Sequence, residues 1–157
     1  MVVELVPDAV SLLQQNDQYD NTPLHLAAEK GQTESVRELL EDSYGVDIDN
    51  KNEDERTPCH LAARHGHVDI IKLILKKDPY AIFDKDEDDN TPLHLAARHG
   101  HVDIIKLILK KDPYAIFDKD EDDNTPLHLA ARERHTKAVN FLLSQGASVH
   151  KRYTKEF

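Results

Sequence analysis

Thr22-Pro23-Leu24-His25-Leu26-Ala27-Ala28 decides the reading of this chain, because it returns three times. The copies are Thr57-Pro58-Cys59-His60-Leu61-Ala62-Ala63, Thr91-Pro92-Leu93-His94-Leu95-Ala96-Ala97 and Thr125-Pro126-Leu127-His128-Leu129-Ala130-Ala131, with spacings of 35, 34 and 34 residues. A period of that length marks a solenoid, in which each unit has an apolar face that only its neighbour can cover. Stable stacks need at least about three such units, and the 157 residues hold four.

The unit from Asp86 to Lys119 reads as two helices and a turn. Thr91 suits an N-cap, and Pro92 suits the first helical position, where its missing N–H costs nothing. A short helix follows through Leu93, Leu95, Ala96 and Ala97, whose small side chains admit a second helix closely. Gly100 ends it in a left-handed conformation. His101-Val102-Asp103 opens the second helix, with Asp103 in its first turn, where a carboxylate favours the dipole. Ile104, Ile105, Leu107, Ile108 and Leu109 give that helix a broad apolar side, and Lys106, Lys110 and Lys111 face water. Asp112-Pro113 stops it. Ile116 and Phe117 are expected under the stack. Asp118 to Asn124 forms an extended acidic turn.

Thr-Pro-Leu-His-Leu-Ala-Ala is the core of the ankyrin repeat, and the chain resembles that family from about residue 17 to residue 150. The resemblance implies an all-α solenoid of paired antiparallel helices joined by extended turns. It divides the chain into an N-terminal capping helix or half repeat (1–16), four repeats (17–51, 52–85, 86–119 and 120–152) and a tail (153–157). The capping element is the amphipathic stretch from Pro7 to Gln15. The extra residue between the first two repeats falls at Asp42-Ser43-Tyr44. Arg134, Lys137, Asn140 and Ser144 supply polarity to the outer face of the last repeat, and Phe141 stays partly exposed.

The family's usual work is binding a protein through the concave face, without catalysis. That carry-over selects the turn residues Gln18, Tyr19 and Asn21; Glu53, Asp54 and Arg56; Glu87, Asp88 and Asn90; and Glu121, Asp122 and Asn124. On the short helices it selects Glu29 and Lys30, Arg64 and His65, Arg98 and His99, and Arg132 and Glu133. An acidic ridge thus lies beside a partly basic groove, an arrangement that steers a protein with a basic or polar surface. The other reading of these charges is a solvated surface. Only Tyr19 offers an aromatic anchor there.

The chain departs from the family pattern in two ways. Arg134 stands where the other repeats carry Gly31, Gly66 and Gly100, and a left-handed non-glycine costs on the order of 1 kcal/mol. Asp20, Glu55, Asp89 and Asp123 replace the glycine common at the turn tips, so the tips are expected to be more open.

Ten histidines raise the question of a metal. The motif residues His25, His60, His94 and His128 lie one repeat apart, roughly 10 Å in packed helices, which no single ion bridges. Each is placed to bond its N-cap threonine (Thr22, Thr57, Thr91 or Thr125) and a backbone group of its own or the next repeat. His65-Gly66-His67 and His99-Gly100-His101 lack the third and fourth ligands of a closed site. Asp84, Asp86 and Asp88 meet the first spacings of a calcium loop, but Asp89 stands at its glycine position and Leu95 at its glutamate position. Cys59 replaces a motif leucine and reads as core filler. No phosphate-binding or nucleophile motif occurs. No metal, cofactor or catalytic residue is therefore expected.

A net charge of −10 argues against nucleic acid and anionic membranes as partners. No apolar stretch is long enough to span a bilayer, and Met1-Val2-Val3-Glu4 lacks the basic start of a signal peptide. A single cysteine fits a reducing, cytoplasmic setting. A monomer is expected. Residues 60–98 are identical to residues 94–132, the solvated Lys76-Lys77-Asp78-Pro79-Tyr80 included. Such a copy is either a recent duplication or an engineered one. The alternative function is thus a stable repeat scaffold with no dedicated partner.

Overall fold

Each short helix starts at a threonine because a helix start leaves backbone N–H groups without partners, and a hydroxyl can take one of them. The Thr22, Thr57 and Thr91 hydroxyls accept the N–H of His25, His60 and His94 at 3.3, 3.4 and 3.5 Å. The computed structural model describes residues 15–147. Among them lie helices α1 (Pro23–Glu29), α2 (Thr33–Leu39), α3 (Pro58–His65), α4 (Val68–Lys77), α5 (Pro92–Arg98), α6 (Val102–Lys111), α7 (Pro126–Arg132) and α8 (Thr136–Ser144). Short 3-10 turns at Asp42–Tyr44, Ala81–Phe83 and Pro113–Phe117 follow the second helices of the first three repeats. No strand occurs among the described residues. Most of the expected capping helix from Pro7 to Gln15, the end of the last repeat and the tail 153–157 lie outside them.

The inner helices α1, α3, α5 and α7 stack on one another in order, and each outer helix packs on the inner helix of its own repeat. Close stacking is possible because Ala62, Ala63, Ala96 and Ala97 are fully buried at the contacts. The core is deepest in the two middle repeats. Ile70, Ile71, Ile74 and Leu75 are buried there, as are their counterparts Ile104, Ile105, Ile108 and Leu109. By contrast α2 buries only Val36, and α8 only Ala138 and Leu142. Burying a large aliphatic side chain contributes about 1.5–3 kcal/mol, so the end repeats are the less stable ones. Ile116 is buried as expected, whereas Phe117 stops half-buried and its counterpart Phe83 is exposed. The extra residue of the first repeat is absorbed at Asp42–Tyr44, where Gly45 turns the chain at φ 59°.

The turn tips correct one expectation. Asp20, Glu55, Asp89 and Asp123 do sit at φ 60°, 57°, 60° and 64°. Yet the tips are closed, since their N–H groups donate to Asp17, Asn52, Asp86 and Asp120 at 3.1, 2.9, 3.0 and 3.1 Å. The reason lies three residues earlier, where one side-chain oxygen gathers two more N–H groups. Asp86 Oδ1 accepts from Asp88 and Asn90 at 3.0 and 2.8 Å, and Asp120 Oδ1 does the same for Asp122 and Asn124 at 3.0 and 2.8 Å. These bonds compensate for the left-handed tip residue. They also commit the aspartates of the calcium-like spacing to turn geometry.

Gly31, Gly66 and Gly100 take φ +72°, +81° and +75°, but conformational freedom is only half their role. A Cβ at these positions would lie 2.6, 2.7 and 2.6 Å from the rings of His67, His101 and His135 in the following repeat. Arg134 has the same left-handed backbone, at φ 60°, and is exposed. No ring of a following repeat lies over it among the described residues, so only the backbone strain remains. Gly100→Ala should therefore cost about 2–4 kcal/mol, strain and overpacking together. Arg134→Gly should gain up to about 1 kcal/mol. Denaturant unfolding of both variants checks the contrast. Equal losses for the two changes would contradict it.

Candidate functional site

The motif histidines fix how the repeats meet and so set the spacing of every surface group. Their Nδ1 atoms accept the N–H of Thr22, Thr57, Thr91 and Thr125 at 3.1, 3.1, 3.2 and 3.1 Å. On the opposite edge of the ring, Nε2 of His25, His60 and His94 meets the carbonyls of Arg56, Asn90 and Asn124 in the next repeat at 2.8, 2.9 and 3.1 Å. A carbonyl only accepts, so Nε2 carries the proton and the ring is neutral. Burial, the largest influence, pushes all three imidazoles below their ordinary range, His60 to about 4.

A second set runs the other way. His67, His101 and His135, each just before an outer helix, donate from Nε2 to Glu29, Arg64 and Arg98 carbonyls in the preceding repeat at 2.9, 2.8 and 2.8 Å. Every junction between described repeats thus carries one imidazole from each side. The sequence reading assigned a structural place to His101 but missed His67 and His135. Their own period of 34 residues, each paired with a glycine one repeat earlier, is the signal that finds them. His65 and His99 lie beside them, with ring centroids 6.3 Å from His67 and His101.

The turns project side by side along one edge of the stack. Glu53, Glu87 and Glu121 donate their N–H to the carbonyls of Tyr19, Asp54 and Asp88 at 3.0, 3.1 and 3.0 Å, which locks the turns in register. Glu53, Glu87, Asp88, Glu121 and Asp122 are exposed, and Asp54 is half-buried. Burial and then Asp54 and Asp88 raise the Glu87 carboxyl, and Asp88 is the first cause that raises Glu121.

At the other end of the inner helices lie Lys30, His65, His99, Arg132 and Glu133, all exposed, with Glu29, Arg64 and Arg98 half-buried. His65 Nε2 approaches Glu29 Oε1 at 3.6 Å. Burial lowers the His65 and His99 imidazoles first, and Arg64 lowers both further. Gln18 is exposed, as is Tyr19 at 51%.

Two sequence-selected contact residues prove to be internal, and Asn21 and Arg56 are half-buried. Asn90 and Asn124 are 1% and 8% exposed, so they are not surface groups. Asn124 donates to Asp120 Oδ2 at 3.2 Å and accepts from Arg132 at 3.1 Å. Asn21 is half-buried, donating to Asp17 at 3.3 Å and accepting from Asn52 at 2.9 Å. Arg56, in the equivalent position of the second repeat, has a side chain only 15% exposed, and its Nε reaches the buried Asp86 Oδ2 at 3.2 Å. That bond occupies the oxygen that Asn90 would otherwise use, and neither side-chain polar atom of Asn90 has a protein partner. Asn21 through Asn52, and Arg56 through Asp86, tie successive turns together, and the ridge is left to the acidic pairs.

Cys59 is buried, and burial raises its thiol far above the usual range. The thiolate, the reactive form, is therefore suppressed. No group of three or more metal-ligating side chains is assembled among the described residues, and no helix there is long and apolar enough to cross a membrane. The stacked helix pairs, the threonine caps and the left-handed glycines describe one class of protein. The family model for ankyrin repeats (3 copies) matches residues 2–83 and 79–153, and the chain belongs to the ankyrin-repeat family. Repeats of this kind are generally protein-interaction modules. No curated protein matches the chain.

The neutral imidazoles give stability a definite pH dependence. A histidine held below its unfolded value contributes fully above about 6.5 and loses that contribution as the pH falls toward its folded value. For His60 the window runs from about 6.5 down to about 4. Raised carboxyls act with the opposite sign: Asp49, lifted to about 7 by burial and by Asp78, gains stability for the fold as it protonates. Asp49 lies at the surface, where water and salt screen such effects. The denaturant midpoint should therefore fall from pH 7.5 to pH 5. A flat or rising profile would show that the imidazoles do not dominate.

Proposed function

We propose that this protein is a non-enzymatic binding module whose concave face takes another protein, one that presents a basic or polar surface to the turn ridge. The observation that carries the reading is the acidic pair repeated in register, Glu53-Asp54, Glu87-Asp88 and Glu121-Asp122, in which burial and then Asp54 and Asp88 raise Glu87, and Asp88 raises Glu121. A counter-charged partner relieves that repulsion and is drawn in by it, so the ridge acts chiefly on association rate. Tyr19, Arg64 and Arg98 then govern dissociation. The net charge of −10 favours this class of partner over nucleic acid or an anionic membrane. A monomer in the cytoplasm is the setting we assign to it.

A second reading rests on the identity of residues 60–98 with residues 94–132. In it the chain is a duplicated or engineered scaffold whose property is a stable fold, and the charges serve solubility alone. A basic probe peptide of about eight lysines separates the two readings. In the first, Glu87→Lys with Asp88→Lys lowers its association rate several-fold and flattens the dependence on ionic strength. Indifference of the rate and of its salt response to this double charge reversal would favour the scaffold.

A further inference from the structure

Three successive repeats present the same pair of features. Glu53-Asp54 goes with Arg64, Glu87-Asp88 with Arg98, and Glu121-Asp122 with Arg132. The acidic pair precedes the start of an inner helix, and the arginine lies at or next to its end. The inner helix between them rises about 10–12 Å over its seven or eight residues, and Arg132 folds back along it to bond Asn124 Oδ1 at 3.1 Å. Neither Arg64 nor Arg98 has a salt-bridge partner among the described residues, and the acidic row has Arg56 alone, paired to Asp54 at 3.9 Å and to Asp86. Each row thus repeats one sign of charge once per repeat, about every 10 Å along the stack, with Arg56 compensating the acidic row at Asp54.

Resting on the reading of this face as a protein-binding surface, we infer that its ligand is an α-helix lying along the groove, with basic residues on one flank and acidic residues on the other, both recurring every seven positions. Seven helical residues advance about 10.5 Å, which matches the spacing of the repeats. Two carboxylates per repeat call for two cations per heptad on one flank, and positions i and i+3 or i+4 supply them. An extended strand covers the same distance in about three residues and so turns successive charges to opposite faces. A polyproline helix advances about 9.3 Å per turn but offers one residue per edge. The identity of the copied surfaces, which argues against distinct contacts, is what a ligand with a matching period requires.

Synthetic peptides test this directly. One is a helix of three heptads with paired lysines on one flank and glutamates on the other. The second has the same composition and helicity with its charges spread evenly around the helix. The third is proline-rich with charges at every third residue, and the fourth is oligolysine. At low ionic strength the first should bind at least about tenfold more tightly than the second, since several ion pairs of a few tenths of a kcal/mol each act together. Arg64→Gln with Arg98→Gln should reduce that preference to about twofold, while circular dichroism confirms the fold. Equal binding of the first two peptides, tighter binding of the third, or no binding of the first overturns the inference. If oligolysine still binds in that case, the acidic ridge remains a protein-binding surface. If oligolysine also fails, the broader reading falls with it.

Discussion

The stack depends on imidazole rings that must stay neutral. A neutral histidine offers an acceptor on one edge of a rigid plane and a donor on the other, which lets it join a threonine N–H in one repeat to a carbonyl in the next. Neither lysine nor arginine has an acceptor to offer the threonine. Protonating the ring would set a second N–H against the Thr22, Thr57 or Thr91 N–H that Nδ1 now accepts. The low-dielectric interior makes that conflict costly and explains why His60 is held down to about 4.

The same constraint shapes the backbone. Because His67, His101 and His135 reach back to the previous repeat, residues 31, 66 and 100 must lack a side chain. The one position of this kind with no overlying ring among the described residues is Arg134, and there the chain accepts a left-handed arginine. Between the junctions, Asp17, Asn52, Asp86 and Asp120 close the tips, and the carbonyls of Tyr19, Asp54 and Asp88 hold Glu53, Glu87 and Glu121 in register. The surface charges are thus spaced by the interior bonds. A rigid, evenly spaced face suits recognition because little order is lost when a partner arrives.

Much of this was legible in the chain. Threonine followed by proline announces a helix start through its own chemistry, and glycine before His67 or His101 announces an end. Those signals are local, and the elements fall where they place them. What escaped the sequence depends on neighbours far along the chain. Asn90 and Glu87 are both polar turn residues, yet the first points into a junction and the second into solvent. Arg56 resembles a surface cation until Asp86, thirty residues later, is placed beside it. The turns looked strained because the tip glycine was missing, while the compensating oxygen of Asp17, Asn52, Asp86 or Asp120 sits three residues upstream. The partners of His67 and His135 lie more than thirty residues away, and only their period betrays them.

The central claim is that neutral Nε2–H imidazoles pin the repeats, and the ring nitrogens report on it directly. Nitrogen-15 spectra of the histidine side chains, followed from pH 7.5 to pH 4, distinguish the Nε2–H form from the Nδ1–H form and from the cation. The account predicts that His25, His60 and His94 hold the Nε2–H form below the ordinary imidazole range, with His60 titrating near 4. If these three rings instead take up protons near 6.5 while the fold stays intact, the neutral-imidazole account is wrong.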